Sequence, residues 1–270
     1  MLVDCQAIVL AGQKLGEADT LVTLLTMERG LVKGVAKGAR RLKSRFGGAI
    51  QPFTYGQALL VERRAAGLRS LAHFDSIHSF QRVREDFEAL SAAAAVVNGA
   101  RRLLPDEQPS ADAFTLLLKA LRSVEAGKDL DRVVLWALLA LLQAAGYQPR
   151  VDRCLVGRHG ARPTDTAGRW WFVPHLGGAV CPSCGVGALA GSNGQYAGLP
   201  MTPGVHALLR QALRMPPSAR HRVSAGAELI QEARGLLEAC VAERGRRLIK
   251  RPVPNQPPAR SVNAATVRRV

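Results

Sequence analysis

Acidic residues and aromatic rings are both scarce in this chain of 270 residues. Asp and Glu number 21 against 37 Lys and Arg, for a formal net charge of +16. Residues 1–80 carry six acids, too few and too scattered to suggest the clustered carboxylates of a metal-dependent nuclease. Aromatics make up 5% of the chain, so Leu, Val and Ala must fill most of any core. Long apolar runs are missing too. The longest, Val133 to Leu142, has ten residues, about half of what a membrane-spanning helix needs. The opening Met1-Leu-Val-Asp-Cys-Gln has no charged region, apolar stretch or cleavage site of an export signal, so a cytoplasmic location and no membrane partner are expected. There is no His-Glu-x-x-His, no Gly-x-Ser-x-Gly and no phosphate-cradling glycine loop. Neither an enzyme nor a bound nucleotide is expected.

What is present is a basic globular chain. Its hydrophobic content of 47% supports an ordinary core. The cationic excess favours a polyanionic partner, nucleic acid before an anionic membrane surface. A GC-rich genome would explain Arg over Lys, but not the shortage of acids. The charge is uneven: residues 1–80 hold 11 basic and 6 acidic groups, residues 81–200 hold 13 and 11, and residues 201–270 hold 13 and 4.

The first eighty residues read as β. Ala7 to Leu10, Thr20 to Leu25, Leu31 to Ala36 and Ala58 to Val61 are short apolar or alternating runs punctuated by glycines, with Glu28-Arg29-Gly30 as a hairpin turn. About five strands in this length predict a small barrel or sandwich. From Gln81 to Leu104 the spacing turns helical and Pro105 closes it. Ser110 or Asp112 would cap a second helix, and Asp129 or Asp131 a third that ends at Gly146. Residues 151–200 lose periodicity, which calls for another staple, such as a metal. Helical signals return over Pro203 to Met215 and Ala225 to Arg244. The Pro- and Arg-rich residues 252–270 read as a disordered basic tail. The division is therefore 1–80, 81–150, 151–200, 201–251 and 252–270. The fold class is α+β.

The loop from Lys37 to Gly48 carries five cations in nine residues: Lys37, Arg40, Arg41, Lys43 and Arg45. It follows a strand that already bears Lys33. Such a loop on a barrel suits the phosphates of a nucleic-acid strand. Neutralising about six phosphates on a single strand would give a log–log salt slope of about −4. Phe46 has two readings, a stacking platform for a base or a core residue, with the core preferred. Glu17 and Asp19 look like an acidic pair, but their place beside a strand favours a structural role. Arg101, Arg102, Lys119, Arg122 and Arg132 beside an apolar groove offer a dock for an acidic peptide tail, or are simply solvated helix faces, the preferred reading.

Gly16-Glu17-Ala18-Asp19-Thr20-Leu21-Val22-Thr23-Leu24-Leu25, Gly30-Leu31-Val32-Lys33-Gly34-Val35-Ala36-Lys37-Gly38-Ala39-Arg40-Arg41, Phe46-Gly47-Gly48 and Gln51-Pro52-Phe53 occur in this order. Together they resemble the N-terminal domain of the RecO family of bacterial recombination mediators. A looser likeness continues through Leu141-Leu142-Gln143-Ala144-Ala145-Gly146-Tyr147 and Asp152-Arg153-Cys154. The resemblance implies an N-terminal OB-fold barrel, a helical domain and a zinc-finger-like insertion. It implies binding of single- and double-stranded DNA, annealing of complementary strands and assistance to RecA on gaps coated with single-stranded-DNA-binding protein. A RecR-like partner, the acidic C-terminal tail of that binding protein and association with the nucleoid come with it. By position, Lys33, Lys37, Arg40 and Arg41, then Lys43 and Arg45, are the DNA contacts. An OB/zinc RNA-binding factor of translation or ribosome assembly is the alternative that composition alone leaves open.

Cys181-Pro-Ser-Cys184-Gly has the spacing of a zinc knuckle, and Cys154 lies upstream at a workable distance. Zinc-bearing relatives have a second Cys-x-x-Cys where this chain reads Cys154-Leu-Val-Gly157. His159 or His175 would complete a structural zinc site, His159 being nearer the expected position; otherwise the site has decayed. Cys5 and Cys240 read as small buried hydrophobes.

Overall fold

A computed structural model describes residues 2–61, 69–127, 129–157, 169–185 and 198–249. Five strands open the chain: β1 (Leu2–Leu15), β2 (Asp19–Thr26), β3 (Gly30–Ala36), β4 (Tyr55–Val61) and β5 (Arg69–His78). They close into a barrel in the order β1-β2-β3-β5-β4, antiparallel throughout except for the β3–β5 pair. Period-two alternation divides their side chains between two cores. Ala7, Val9, Val22, Leu24, Val32, Leu60 and Leu71 fill the barrel. Their neighbours Ile8, Leu25 and Leu31 join the core shared with the helices. The barrel is thus apolar on both sides where it meets the helices, which glues the two parts of the molecule together.

The helical part starts with α1 (Gln81–Glu85) and α2 (Phe87–Leu103), which the spacing predicts as one helix. Asp86 breaks it. Its backbone is extended and its carboxylate accepts from the N–H of Ala89, capping α2. Then come α3 (Ala111–Glu125) and α4 (Leu130–Ala144). Of the candidate caps, Ser110 and Asp129 take the role, accepting from Ala113 and Arg132. Helix α2 packs closely on α4, with Gly99 against Leu138 and Leu141. Beyond the middle segment lie α5 (Pro203–Arg214), a 3-10 turn (Pro217–Arg222) and α6 (Ala227–Ile249).

The expectation of a middle segment without strands is corrected by the structure. β6 (Trp170–Val173), β7 (Gly178–Val180) and β8 (Leu199–Met201) form an antiparallel sheet in the order β7-β6-β8. Its buried Trp170, Phe172 and Met201 belong to the same core as the helices. Strands of three or four residues are too short to show alternation in sequence. The expected tail, 252–270, lies outside the described residues.

The α2–α3 loop docks back on the barrel. The N–H of Glu107 donates to the Leu31 carbonyl at 2.9 Å, Arg69 pairs with Glu107 at 2.6 Å, and Lys33 meets Asp106 at 3.7 Å. Leu31 forms a parallel bridge with Asp106 where β3 has no β5 partner.

Candidate nucleic-acid interface and metal cluster

The cationic loop leaves β3 through a series of tight turns. The N–H groups of Ala39, Arg41, Ser44, Gly47, Ala49 and Gln51 each donate to the carbonyl three residues back. Gly38 takes a positive φ of 68°, and its N–H donates to the Asp19 carboxylate at 2.8 Å. Arg40 ties the loop to the β1–β2 turn. Its backbone N–H donates to Ala18 O at 2.9 Å, and its guanidinium donates to the carbonyls of Gly16 and Glu17 at 3.1 and 2.9 Å. Asp19 therefore builds the loop, in keeping with the structural role expected of it.

Lys33, Lys37, Arg40, Arg41, Lys43 and Arg45 are all exposed. Five of them lie on this one loop, and Lys33 projects from the outer face of β3, opposite Thr23 of β2. Arg40 is committed in part to the turn it holds, and Lys33 in part to Asp106. Phe46 is buried at 2% exposure within the barrel core, with the Arg45 guanidinium 5.0 Å from its ring centre. The core reading of Phe46, the preferred of the two, therefore holds, and the ring anchors the loop. Burying such a ring is worth roughly 1.5–3 kcal/mol and fixes the loop's far end on the barrel. Leu42, between the cations, is fully exposed at 108%.

A cleft of about 770 Å³ separates the barrel from the helices, lined by Leu31, Lys33, Arg101, Arg102, Leu104 and Asp106 among others. Arg101 and Arg102 belong to the group considered as a peptide dock. Arg132 does not share this cleft. It donates to Asp129 and to the carbonyls of Val223 and Ala225, holding the chain before α6.

The three cysteines come together. The segment before Cys154 runs beside β7, with Arg150 N bonded to Gly177 O, Ala179 N to Arg150 O and Leu155 N to Ala179 O. This sets Cys154 next to Cys181, and the turn after β7 carries Cys184. The Sγ atoms of Cys154, Cys181 and Cys184 lie within 4.8 Å of one another. Tetrahedral thiolates around a zinc ion sit about 3.8 Å apart, so the donor set fits a metal ion. Backbone N–H groups point at the sulfurs: Gly157 and Cys181 at Cys154, and Cys184 at Cys181, at 3.4 to 3.5 Å. At Gly185, which closes the turn, a Cβ would come within 2.6 Å of Trp171. Burial works against a charged Cys154 thiolate, but the N–H groups of Cys181, Gly157 and Val156 outweigh it and lower its pKa. Burial and the neighbouring Cys181 and Cys154 thiols push Cys184 up to about 11. None of the five cysteines is in a disulfide. Cys5 and Cys240 are buried, as expected of small hydrophobes. His159 lies outside the described residues, and His175 is away from the cluster, its Nδ1 3.6 Å from Glu243.

Comparison with known proteins settles the family. The family described as "Recombination protein O N terminal" matches residues 1–80, and "Recombination protein O C terminal" matches residues 84–251. The chain belongs to the RecO family. It is similar to the DNA repair protein RecO of Myxococcus xanthus, 36% identical over 91% of this chain and 93% of the relative. The RecO of a Nocardioides species is 40% identical over 69% of this chain and 75% of its own. That of Heliobacterium modesticaldum is 34% identical over 87% and 82%. RecO membership places the protein in DNA repair and recombination, and these relatives lend no support to the translation-factor alternative. No helix among the described residues is long and apolar enough to cross a membrane.

Proposed function

We propose that this RecO-family protein is a mediator that binds single- and double-stranded DNA and anneals complementary strands. It assists RecA loading on gaps coated with single-stranded-DNA-binding protein. The N-terminal barrel serves as an OB-type nucleic-acid module, and the loop from Lys37 to Arg45, with Lys33, is its contact surface. The observation that carries this reading is the exposure of five cations on one loop, which Asp19, Arg40 and Phe46 anchor to the barrel, next to a strand that bears exposed Lys33. Phosphates supply the complementary charge, and capture of two strands requires no chemical step, so the protein is not an enzyme and needs no nucleotide. One structural zinc, held by Cys154, Cys181, Cys184 and His159, would pin the segment before β6 to the turn after β7. A RecR-like protein and the acidic tail of the single-stranded-DNA-binding protein are its protein partners.

The test is annealing of complementary DNA strands precoated with single-stranded-DNA-binding protein, without ATP. Wild type is compared with a chain carrying Lys37→Glu, Arg41→Glu and Lys43→Glu. Arg40 is left intact because it also holds the β1–β2 turn. Acceleration by wild type and its loss in the variant support the reading. Equal annealing by both removes the loop from the DNA surface.

A further inference from the structure

A single exposed leucine is ordinary on a protein surface. The position of Leu42 is not. Among the described residues it is the most exposed large apolar side chain, at 108%. Exposed Arg40, Arg41, Lys43 and Arg45 surround it in sequence. The backbone on either side is pinned. Upstream, Asp19 holds Gly38, and Arg40 is bound to the β1–β2 turn through both its N–H and its guanidinium. Downstream, Phe46 is buried in the barrel. Between the pins, the N–H groups of Arg41 and Ser44 close successive turns. Anchored on both sides, the loop presents Leu42 to solvent. At the same rim, Leu15 is 38% exposed and immediately precedes Gly16, whose carbonyl accepts Arg40.

We propose that Leu42 is an apolar wedge that packs on the face of an unstacked base, so that the loop favours frayed ends and strand junctions over continuous duplex. The inference rests on the loop being the DNA surface. Five cations within nine residues match a backbone with one charge per nucleotide. Once phosphates are bound to them, the apolar surface closest to Leu42 is a base face. In stacked duplex that face is covered; beside a junction or an unpaired nucleotide it is open, and an aliphatic side chain can insert there. The cations supply affinity without regard to structure, and the leucine supplies a preference for the places where annealing begins or stalls. A protein partner would need an apolar pocket ringed by acids.

The experiment uses the full chain, a forked DNA with 2-aminopurine at the first unpaired position, and a blunt duplex of equal length. Leu42→Ala is expected to weaken fork binding about tenfold, the effect of losing one buried leucine contact. Duplex affinity and the salt slope should stay unchanged, because no cation is removed. The 2-aminopurine signal change seen with wild type should vanish in Leu42→Ala and return in Leu42→Phe. Wild-type fork affinity and signal in Leu42→Ala would overturn the wedge. The loop would remain the interface if the Lys37→Glu, Arg41→Glu, Lys43→Glu chain then lost both substrates, and would fall with the wedge if that chain bound both normally. Unchanged DNA binding with weakened capture of a RecR-like protein would overturn the wedge and assign Leu42 to a protein contact.

Discussion

The Asp19 carboxylate on β2 accepts the Gly38 N–H at 2.8 Å, so an acid holds the start of the most basic loop in the barrel. Asp19→Ala removes the acceptor and leaves a half-buried N–H without its partner, costing about 1 kcal/mol. Asp19→Asn keeps an acceptor oxygen and removes only the charge. Urea denaturation should show a lower midpoint for Asp19→Ala and a midpoint close to wild type for Asp19→Asn. Equal losses in the two would mean that the charge, and not the hydrogen bond, organises the loop.

Arg40 and Arg41 are neighbours with different duties. Arg41→Ala should weaken single-stranded DNA binding and reduce the salt slope by about 0.7, one phosphate's share, with little change in stability. Arg40→Ala should do the same and also lower the unfolding midpoint, because Gly16 and Glu17 lose their donor. Binding isotherms across salt, paired with thermal unfolding of the same variants, separate the two. An Arg40→Ala chain as stable as wild type would remove the anchoring role.

The barrel was legible where alternation was strong. Leu21 to Leu25 and Leu31 to Ala36 carry the period of two that buries Val22, Leu24 and Val32 in one core and Leu25 and Leu31 in another. β5 was not: Arg69–His78 contains Arg, His and Asp, and buries only Leu71 and Phe74. β1 runs well past its apolar kernel because its polar ends still pair with β2 and β4. At the site, residue types alone located the cations and the thiols. They could not reveal that Arg40 is half structural, since that depends on the β1–β2 turn, more than twenty residues away in sequence. No local pattern carries that information.

Gly30 takes a φ of 69° at the β2–β3 turn, and a Cβ there would lie 2.0 Å from the Gln108 carbonyl oxygen. The turn needs glycine for its backbone, and the α2–α3 loop needs it for close approach. Gly30→Ala should therefore cost more than the turn strain alone, roughly 2–4 kcal/mol, because two backbones must separate. Chemical denaturation would measure it. A loss under about 1 kcal/mol would show that the loop shifts easily away from β3.

The Glu107 carboxyl is held below its ordinary pKa by the Arg69 hydrogen bond at 2.6 Å, against a smaller opposing effect of burial. A depressed folded-state pKa means that the contribution to stability is complete above the unfolded value, about 4.3, and is lost as pH falls through the folded one. Glu107 is exposed, so solvent screens the pair and the effect is small. Wild type should melt slightly above Glu107→Gln at pH 7, and the difference should close as pH falls through the lowered folded-state pKa or in high salt. A gap that persists in acid and in high salt would mean that the charge on Glu107, and so its pairing with Arg69, is not the source of the difference.

The Cys184 thiol, pushed up to about 11 in the metal-free chain, must give up its proton when a metal binds. Metal uptake therefore releases protons, and affinity should rise with pH by about tenfold per unit for each thiol that is protonated beforehand. Cys154, whose pKa is lowered by the N–H groups around it, contributes less to this slope than Cys184. Mass spectrometry of the native protein should find one zinc per chain at pH 7.5, less as pH is lowered, and none in Cys181→Ser. Because Cys154 and Cys181 belong to the core shared with the helices, losing the metal should also lower the unfolding temperature of that part of the molecule. A chain that holds no zinc at any pH, and melts at the same temperature with and without a chelator, would show that three thiols in van der Waals range are packing, not a ligand set.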